Sequence, residues 1–173
     1  MNSSKSMKTS SFLTTLLTAL TISAFAADVE RADKSFITNA YEDGLAEVKL
    51  GEMAKGKSAN ADVKAFGEHM ATDHVKANTE LKALADSKKV AVASDVTMVA
   101  KGKAKLLDAK SGADFDKAYA DAMVNDHKKA VALFEKNANE AKDADVKAFA
   151  AKTLPTLKTH LSMAEELQKK VGK

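Results

Sequence analysis

Two acid–imidazole pairs, Asp73-His74 and Asp126-His127, interrupt the apolar positions of segments that otherwise have the pattern of amphipathic helices. A third imidazole, His160, falls in the apolar row of a later segment. Carboxylates and neutral imidazoles are metal ligands, and a buried charge without a partner is energetically expensive. The pattern therefore indicates either a metal site or a hydrogen-bonded polar layer inside a helical protein.

Four long helices are needed to position these groups. Apolar residues recur at steps of three and four residues, and no long alternation with a period of two predicts a sheet. The predicted helices span about 33–55, 60–87, 114–139 and 143–171, with a weaker helix at 95–108 in the long connection. Asn60, Asp114 and Asp143 stand where helix N-caps are expected, because their side chains can accept hydrogen bonds from first-turn amides.

The sequence contains an internal repeat. NADVKAF at 60–66 recurs as DADVKAF at 143–149, and at the same offset Asp33 aligns with Asp116. A single helical hairpin cannot bury its apolar stripe alone, so two copies are expected to face each other. Short turns within the hairpins and one long crossover predict an all-α, ferritin-like four-helix bundle built from duplicated hairpins. The alternative is two unrelated hairpins that share a common surface pattern.

Each helix contributes titratable groups to its inward stripe. With a rise of about 1.5 Å per residue, Asp43, His74 and His127 fall within ~2 Å of one level along the bundle axis. His160 is expected about one turn above that level and Glu47 about one turn below it. We predict one cluster of candidate metal ligands and the groups that orient them: His74, His127, His160, Asp126, Asp73, Asp43 and Glu47. His69, on the flank of the second helix, is predicted to face solvent.

The sequence alone leaves three interpretations of this cluster open. Two of them place the cluster in the interior, and in the third some of its members lie on the surface. In the first, imidazoles and carboxylates from facing helices bind a transition metal. In the second, each imidazole donates to an acid on a neighbouring helix, and the network fixes the helix register. Di-iron carboxylate bundles use Glu-x-x-His, but Ala71, Val124 and Leu157 stand three residues before the histidines. Zn, Cu or Ni is therefore favoured over a di-iron centre.

Several segments together resemble one protein family. They are F36, A40 and G44LAEVKLGEMA in the first helix, D73H74 in the second, F115D, Y119 and H127 in the third, and L154PTLKTH160 in the fourth. In order and spacing they resemble the bacterial ferritin-like domain of unknown function 4142 family, often labelled putative membrane or outer-membrane protein. The resemblance extends from about Asp33 to Glu165 and implies a four-helix bundle, export from the cytoplasm and no established activity. The family pattern includes the positions of His74, His127 and His160.

The N-terminus has the features of a secretory signal peptide. Lys5 and Lys8 precede an apolar run from Phe12 to Phe25, and Ala24-Phe25-Ala26 forms an A-x-A cleavage site. The run is shorter than the ~20 apolar residues that span a bilayer, so a membrane anchor is disfavoured. We predict a signal peptide at 1–26, one four-helix-bundle domain at 27–173, and a periplasmic or secreted protein. Because no cysteine follows the signal, lipoprotein anchoring is not expected.

The composition excludes several classes of function. Removing 1–26, which carries two lysines and no acid, leaves 25 basic and 24 acidic residues, and the chain has no Trp. Such a near-neutral chain is not expected to bind nucleic acid. With no cysteine and no Ser-His-Asp arrangement, we assign no catalytic residue and disfavour an enzyme. The expected function is binding of a metal or small ligand in the interior. The alternative is a non-catalytic envelope stress or protein-interaction module, acting on an envelope partner, whose polar layer is purely structural.

Overall fold

A computed structural model describes residues 30–172. The signal peptide predicted at 1–26 lies outside these residues. Within them the chain is helical without strands, and the five helices follow one another as α1 Arg31–Lys57, α2 Ala61–Ser87, α3 Met98–Asp108, α4 Gly112–Glu140 and α5 Ala144–Val171. The four predicted long helices and the weak helix in the crossover are confirmed. None of the helices described here combines the length and apolar character needed to cross a membrane.

The helix starts depend on local capping. Asn60 and Asp143 are N-caps as predicted, and each side chain accepts hydrogen bonds from two amides in the first turn that follows. The prediction for Asp114 is wrong, because α4 begins earlier and Ser111 is its N-cap. Asp114 instead lies in the first turn, where a negative charge interacts favourably with the helix dipole. The helix α5 continues through Pro155.

The chain forms two tight hairpins, α1 with α2 and α4 with α5. Gly51 and Gly67 allow the first pair to approach closely: a Cβ at Gly51 would lie 2.5 Å from the carbonyl oxygen of Gly67. No side chain fits at that distance, so the two glycines permit the close packing of α1 against α2. The crossover helix α3 packs against α1 and α4.

Two repeat-related acids connect the hairpins reciprocally. Asp33 of α1 accepts hydrogen bonds from the backbone amides of Lys142 and Asp143 in the α4–α5 turn. Asp116 of α4 accepts one from the Ser58 hydroxyl, at 2.6 Å, in the α1–α2 turn. Both acids are buried. Each hairpin therefore uses the same repeat position to hold the turn of the other, as expected for a duplicated unit.

The hydrophobic core is divided into two clusters. One contains Leu50, Met70, Met123 and Ala164, and the other contains Ala40, Leu81, Phe134 and Leu157. On each long helix a buried polar residue lies in sequence between the members of the two clusters: Glu47, His74, His127 and His160. These four residues form the polar layer of the bundle.

Candidate metal centre

Three imidazoles from three helices meet in the polar layer. His74 on α2, His127 on α4 and His160 on α5 are all buried. Their ring centroids are separated by 5.7 Å (His74–His127), 5.4 Å (His74–His160) and 5.5 Å (His127–His160). Each ring offers a nitrogen that lies within 4.8 Å of a nitrogen from both other rings. We call these three residues the inner triad.

Hydrogen bonds fix the tautomers of two of these rings. The Nδ1 of His127 lies 2.9 Å from the carbonyl oxygen of Met123, which only accepts, so Nδ1 carries the proton. The Nε2 of His160 lies 3.0 Å from the Asp73 carboxylate and donates to it. The lone pairs are therefore on His127 Nε2 and His160 Nδ1. Both atoms, and His74 Nε2, are buried without a hydrogen-bond partner among the described residues.

The three rings are electrically neutral at neutral pH. Burial, followed by the proximity of the other two imidazoles, lowers the pKa of His74 to about 3. Burial lowers the pKa of His127 to about 4, although its hydrogen bond to Met123 acts in the opposite direction. Burial also lowers the pKa of His160, and the hydrogen bond to Asp73 opposes the shift. Neutral imidazole is the form that binds metal ions.

A second group of candidate ligands shares one member with the inner triad. His69 Nε2 lies 3.4 Å from Asp73 Oδ2, and one ligand atom each from His69, Asp73 and His160 lies within 4.8 Å of the others. We call these residues the outer group. His69 is exposed as predicted, but its contact with Asp73 and its ring contact with His160 were not predicted. The spacing of four residues between His69 and Asp73 on one helix was the available signal.

The remaining predicted site residues, Asp43, Glu47 and Asp126, line a cavity of about 280 Å³ between the hairpins and beside α3. In the described part of the chain, none of these three acids has a ligand atom within 4.8 Å of the ligand atoms of two other candidate residues that are equally close to each other. The inner triad and Asp73 line the same cavity, and Asp73 differs from the other three acids in being hydrogen-bonded to an imidazole of the triad. Asp43 is exposed at the rim of the cavity, while the adjacent Gly44 is buried on the inward face of α1.

The cavity acids differ in their electrostatic state. Asp126 forms an ion pair with Lys103 of α3. Glu47 is buried and its Oε2 has no hydrogen-bond partner in the described region. Burial, and then the negative charge of Asp126, raises the pKa of Glu47 to about 8. Glu47 is therefore mostly protonated at neutral pH, and the cavity combines a neutral acid with an ion pair rather than three free carboxylates.

Comparisons with known proteins give a family and a fold. The family model described as domain of unknown function (DUF4142) matches residues 19–167. No curated protein matches the sequence. A crystal structure of a DUF305 fragment from Deinococcus radiodurans is similar with a TM-score of 0.73 at 11% identity, covering 82% of this chain and 98% of that one. A structure described as CopM in the Cu(II)-bound form is similar with a TM-score of 0.63 at 13% identity, covering 80% and 96%. At these identities the two structures indicate the shared helical fold.

Proposed function

The chain belongs to the DUF4142 family, and we propose that it binds one transition-metal ion between the three imidazoles of the inner triad. The observation that carries this proposal is the convergence of His74, His127 and His160. Each ring is buried and has one nitrogen without a hydrogen-bond partner among the described residues. Buried polar atoms are normally hydrogen-bonded, so three such nitrogens side by side call for a shared partner. A metal ion bound there takes the lone pairs of His127 Nε2 and His160 Nδ1 and, with His74 protonated on Nδ1, that of His74 Nε2 as well.

The hydrogen-bond pattern favours a metal site over a purely structural layer. A structural network would pair each imidazole with an acid on a neighbouring helix. Within residues 30–172, His160 is the one member of the inner triad that has such a partner, Asp73. His127 donates to a carbonyl of its own helix instead. Metal-binding histidines commonly donate their other ring nitrogen to a carboxylate or a backbone carbonyl, as these two rings do.

Copper is the first ion to test. Three imidazole nitrogens without a thiolate suit Cu, Zn or Ni, and the Glu-x-x-His pair of di-iron bundles is missing from this sequence. The similar fold described as CopM in the Cu(II)-bound form adds a reason to begin with copper. Three protein ligands leave a coordination position for a water molecule or an exogenous ligand. The cavity beside Glu47 has room for such a water molecule or ligand.

We further propose that binding takes place outside the cytoplasm. The support is the N-terminal sequence, where two lysines, a short apolar run and an A-x-A site stand in the order of a cleavable signal. Cell fractionation with antibody detection tests this location. A protein recovered only with the cytoplasmic fraction, at full length, would contradict it.

A second candidate function is the interaction module considered from the sequence. Its support is the set of large apolar side chains exposed on α3, which are Met98, Val99 and Leu106. In this alternative an envelope partner covers α3, and the polar layer is structural. It predicts that the protein retains no metal.

Elemental analysis separates the two candidates. The protein is treated with a chelator, reconstituted with Cu(II), Zn(II), Ni(II) or Fe(II), and desalted. We expect about one equivalent of Cu or Zn and a metal-dependent increase in melting temperature. Retention below about one-tenth equivalent for every ion would contradict the proposal.

The double variant H74L/H127L provides the structural control. Replacing a polar network with apolar side chains of similar volume is often neutral or stabilising. We therefore expect the variant to fold and to lose the metal-dependent increase in melting temperature. His69→Leu, at an exposed position, is the matched control and should retain that increase. An equal increase in the parent and in H74L/H127L would show that the ion binds elsewhere.

A further inference from the structure

His160 belongs to both groups of ligands and links the protein surface to its interior. Its Nδ1 is buried without a partner among the described residues, whereas its Nε2 faces Asp73 at 3.0 Å. The exposed fraction of the side chains falls from 44% at His69 through 32% at Asp73 to 2% at His160. Three metal-ligating side chains thus form a continuous path from solvent to the inner triad.

We propose that the outer group, His69, Asp73 and His160, is a second metal site through which ions enter and leave the inner triad. This inference rests on the proposed function of the inner triad. The ligand is the same divalent transition-metal ion, held at the outer group by two imidazoles and a carboxylate. Its position near the surface makes the outer site weaker and faster to exchange.

The chemistry of the His160 ring makes the two sites alternate. A neutral imidazole has one lone pair and holds its proton on the other nitrogen. When Nδ1 binds an ion in the inner triad, Nε2 keeps the proton and donates it to Asp73. An ion that binds Nε2 in the outer group displaces the Nε2 proton to solvent, and Nδ1, which then has no ion, takes up one proton from water in the cavity, so the ring stays neutral; movement of the ion to Nδ1 reverses both proton transfers. Rotation of long side chains is not needed, because both sites use the same fixed ring.

The negative charge of Asp73 also favours binding of a metal cation at the outer group. The Asp73 carboxylate lies between two imidazoles on adjacent helices. Asp73 accepts a hydrogen bond from His160 and is partly exposed, so its carboxylate faces a cation approaching from solvent. The alternative entrance is the cavity, whose lining includes Asp43 and the inner triad and whose Lys103 is held in an ion pair with Asp126, so the experiment below compares the two routes.

Rapid-mixing kinetics with Cu(II) test the route. His69→Ala removes one outer ligand at an exposed position and should leave the fold intact. We expect association and chelator-driven dissociation both to slow by about tenfold, while the equilibrium affinity changes by less than about twofold, because the affinity is the ratio of the two rate constants and a residue on the route changes both in proportion. Asp43→Asn, at the cavity rim, is the matched control. Unchanged rates in His69→Ala, or slowing in Asp43→Asn instead, would overturn the proposal.

A second measurement does not depend on the inner triad. H74L/H127L removes two inner ligands and retains all three outer ones. We expect weak Cu(II) binding to this variant, with hyperfine coupling to two imidazole nitrogens in its electron paramagnetic resonance spectrum, and weaker binding with the coupling of one nitrogen removed when His69→Ala is added. Identical spectra with and without His69→Ala would exclude the outer site. Should the parent retain no metal while H74L/H127L still loses the coupling of one nitrogen with His69→Ala, the proposed function fails and the outer site stands.

Discussion

The Nε2 of His160 on α5 donates a hydrogen bond of 3.0 Å to the Oδ2 of Asp73 on α2. This contact joins the two hairpins at the level of the polar layer. It fixes the tautomer of His160, so that the Nδ1 lone pair faces the buried side. A carboxylate in this position also makes the imidazole a stronger electron donor.

Asp73→Asn tests the orienting role of that carboxylate. The amide can still accept a hydrogen bond from His160, but it has no charge to increase the basicity of the ring. We expect metal affinity to fall by about 10–100-fold with little change in the stability of the metal-free protein. Competitive titration against a chelator of known affinity measures the change. Glu68→Gln, on the exposed face of the same helix, is the control, and an equal loss in both variants would contradict the assignment.

The metal-free protein should lose stability in mild acid through its buried imidazoles. In the folded chain the pKa is about 3 for His74 and about 4 for His127, whereas an unperturbed histidine, as in the unfolded chain, has a pKa of 6.5. Between about pH 4 and 6.5 the unfolded chain therefore binds more protons, and stability falls as the pH falls. For each pH unit of acidification in this window, each histidine lowers the free energy of unfolding by up to ~1.4 kcal/mol, and it has no such effect above the window.

Urea unfolding of parent and H74L/H127L between pH 4 and 7.5 measures this effect. We expect the free energies of unfolding to diverge as the pH falls, with the parent losing stability relative to the variant. Parallel profiles would mean that the two imidazoles titrate normally in the folded protein, and hence that they are in contact with water.

Glu47 should give the opposite pH dependence. Its pKa is raised from 4.5 to about 8 by burial and by Asp126, so the folded chain binds the extra proton between these values. The stabilising contribution of the protonated acid is present below about pH 4.5 and is lost as the pH rises toward 8. Glu47→Gln keeps the shape and removes the titration. We expect the free energy of unfolding of the metal-free variant to increase relative to that of the parent as the pH rises, by up to ~1.4 kcal/mol per pH unit.

Chemical unfolding of the two metal-free proteins at pH 5 and pH 8 provides the measurement. The same substitution at the exposed Glu52 of α1 is the matched control. A constant difference between parent and Glu47→Gln at both pH values would contradict a buried, protonated Glu47.

The helices could be predicted from the sequence because their signals are local. Three- and four-residue steps define the buried faces, and Asn60 and Asp143 cap α2 and α5 by bonds to amides two and three residues away. The meeting of His74, His127 and His160 was also predictable. A repeat, two short turns and the rise per residue fix the height of each side chain along the bundle.

The distribution of the acids was not predictable in the same way. Asp43 and Gly44 are adjacent in a helix, and a rotation of about 100° decides which one is buried. That rotation depends on the contact of Gly44 with Asn78 of α2, where a Cβ would come within 2.1 Å of Oδ1. The pairing of Asp126 with Lys103 depends on where the crossover helix packs, which no local pattern determines.

Two glycine-to-alanine substitutions should have opposite effects on stability. A Cβ at Gly51 would lie 2.5 Å from the carbonyl oxygen of Gly67 and 2.9 Å from the amide of Ala71, both backbone atoms that cannot move independently. Gly51→Ala must therefore push α1 away from α2, and we expect it to destabilise the protein by about 1–3 kcal/mol. Gly102, in α3, has nothing within 4 Å of the added Cβ, so Gly102→Ala gains helix propensity of up to ~1 kcal/mol. Urea unfolding of both variants decides the matter, and a stabilising Gly51→Ala would mean that the close contact between the two glycine backbones does not exist in solution.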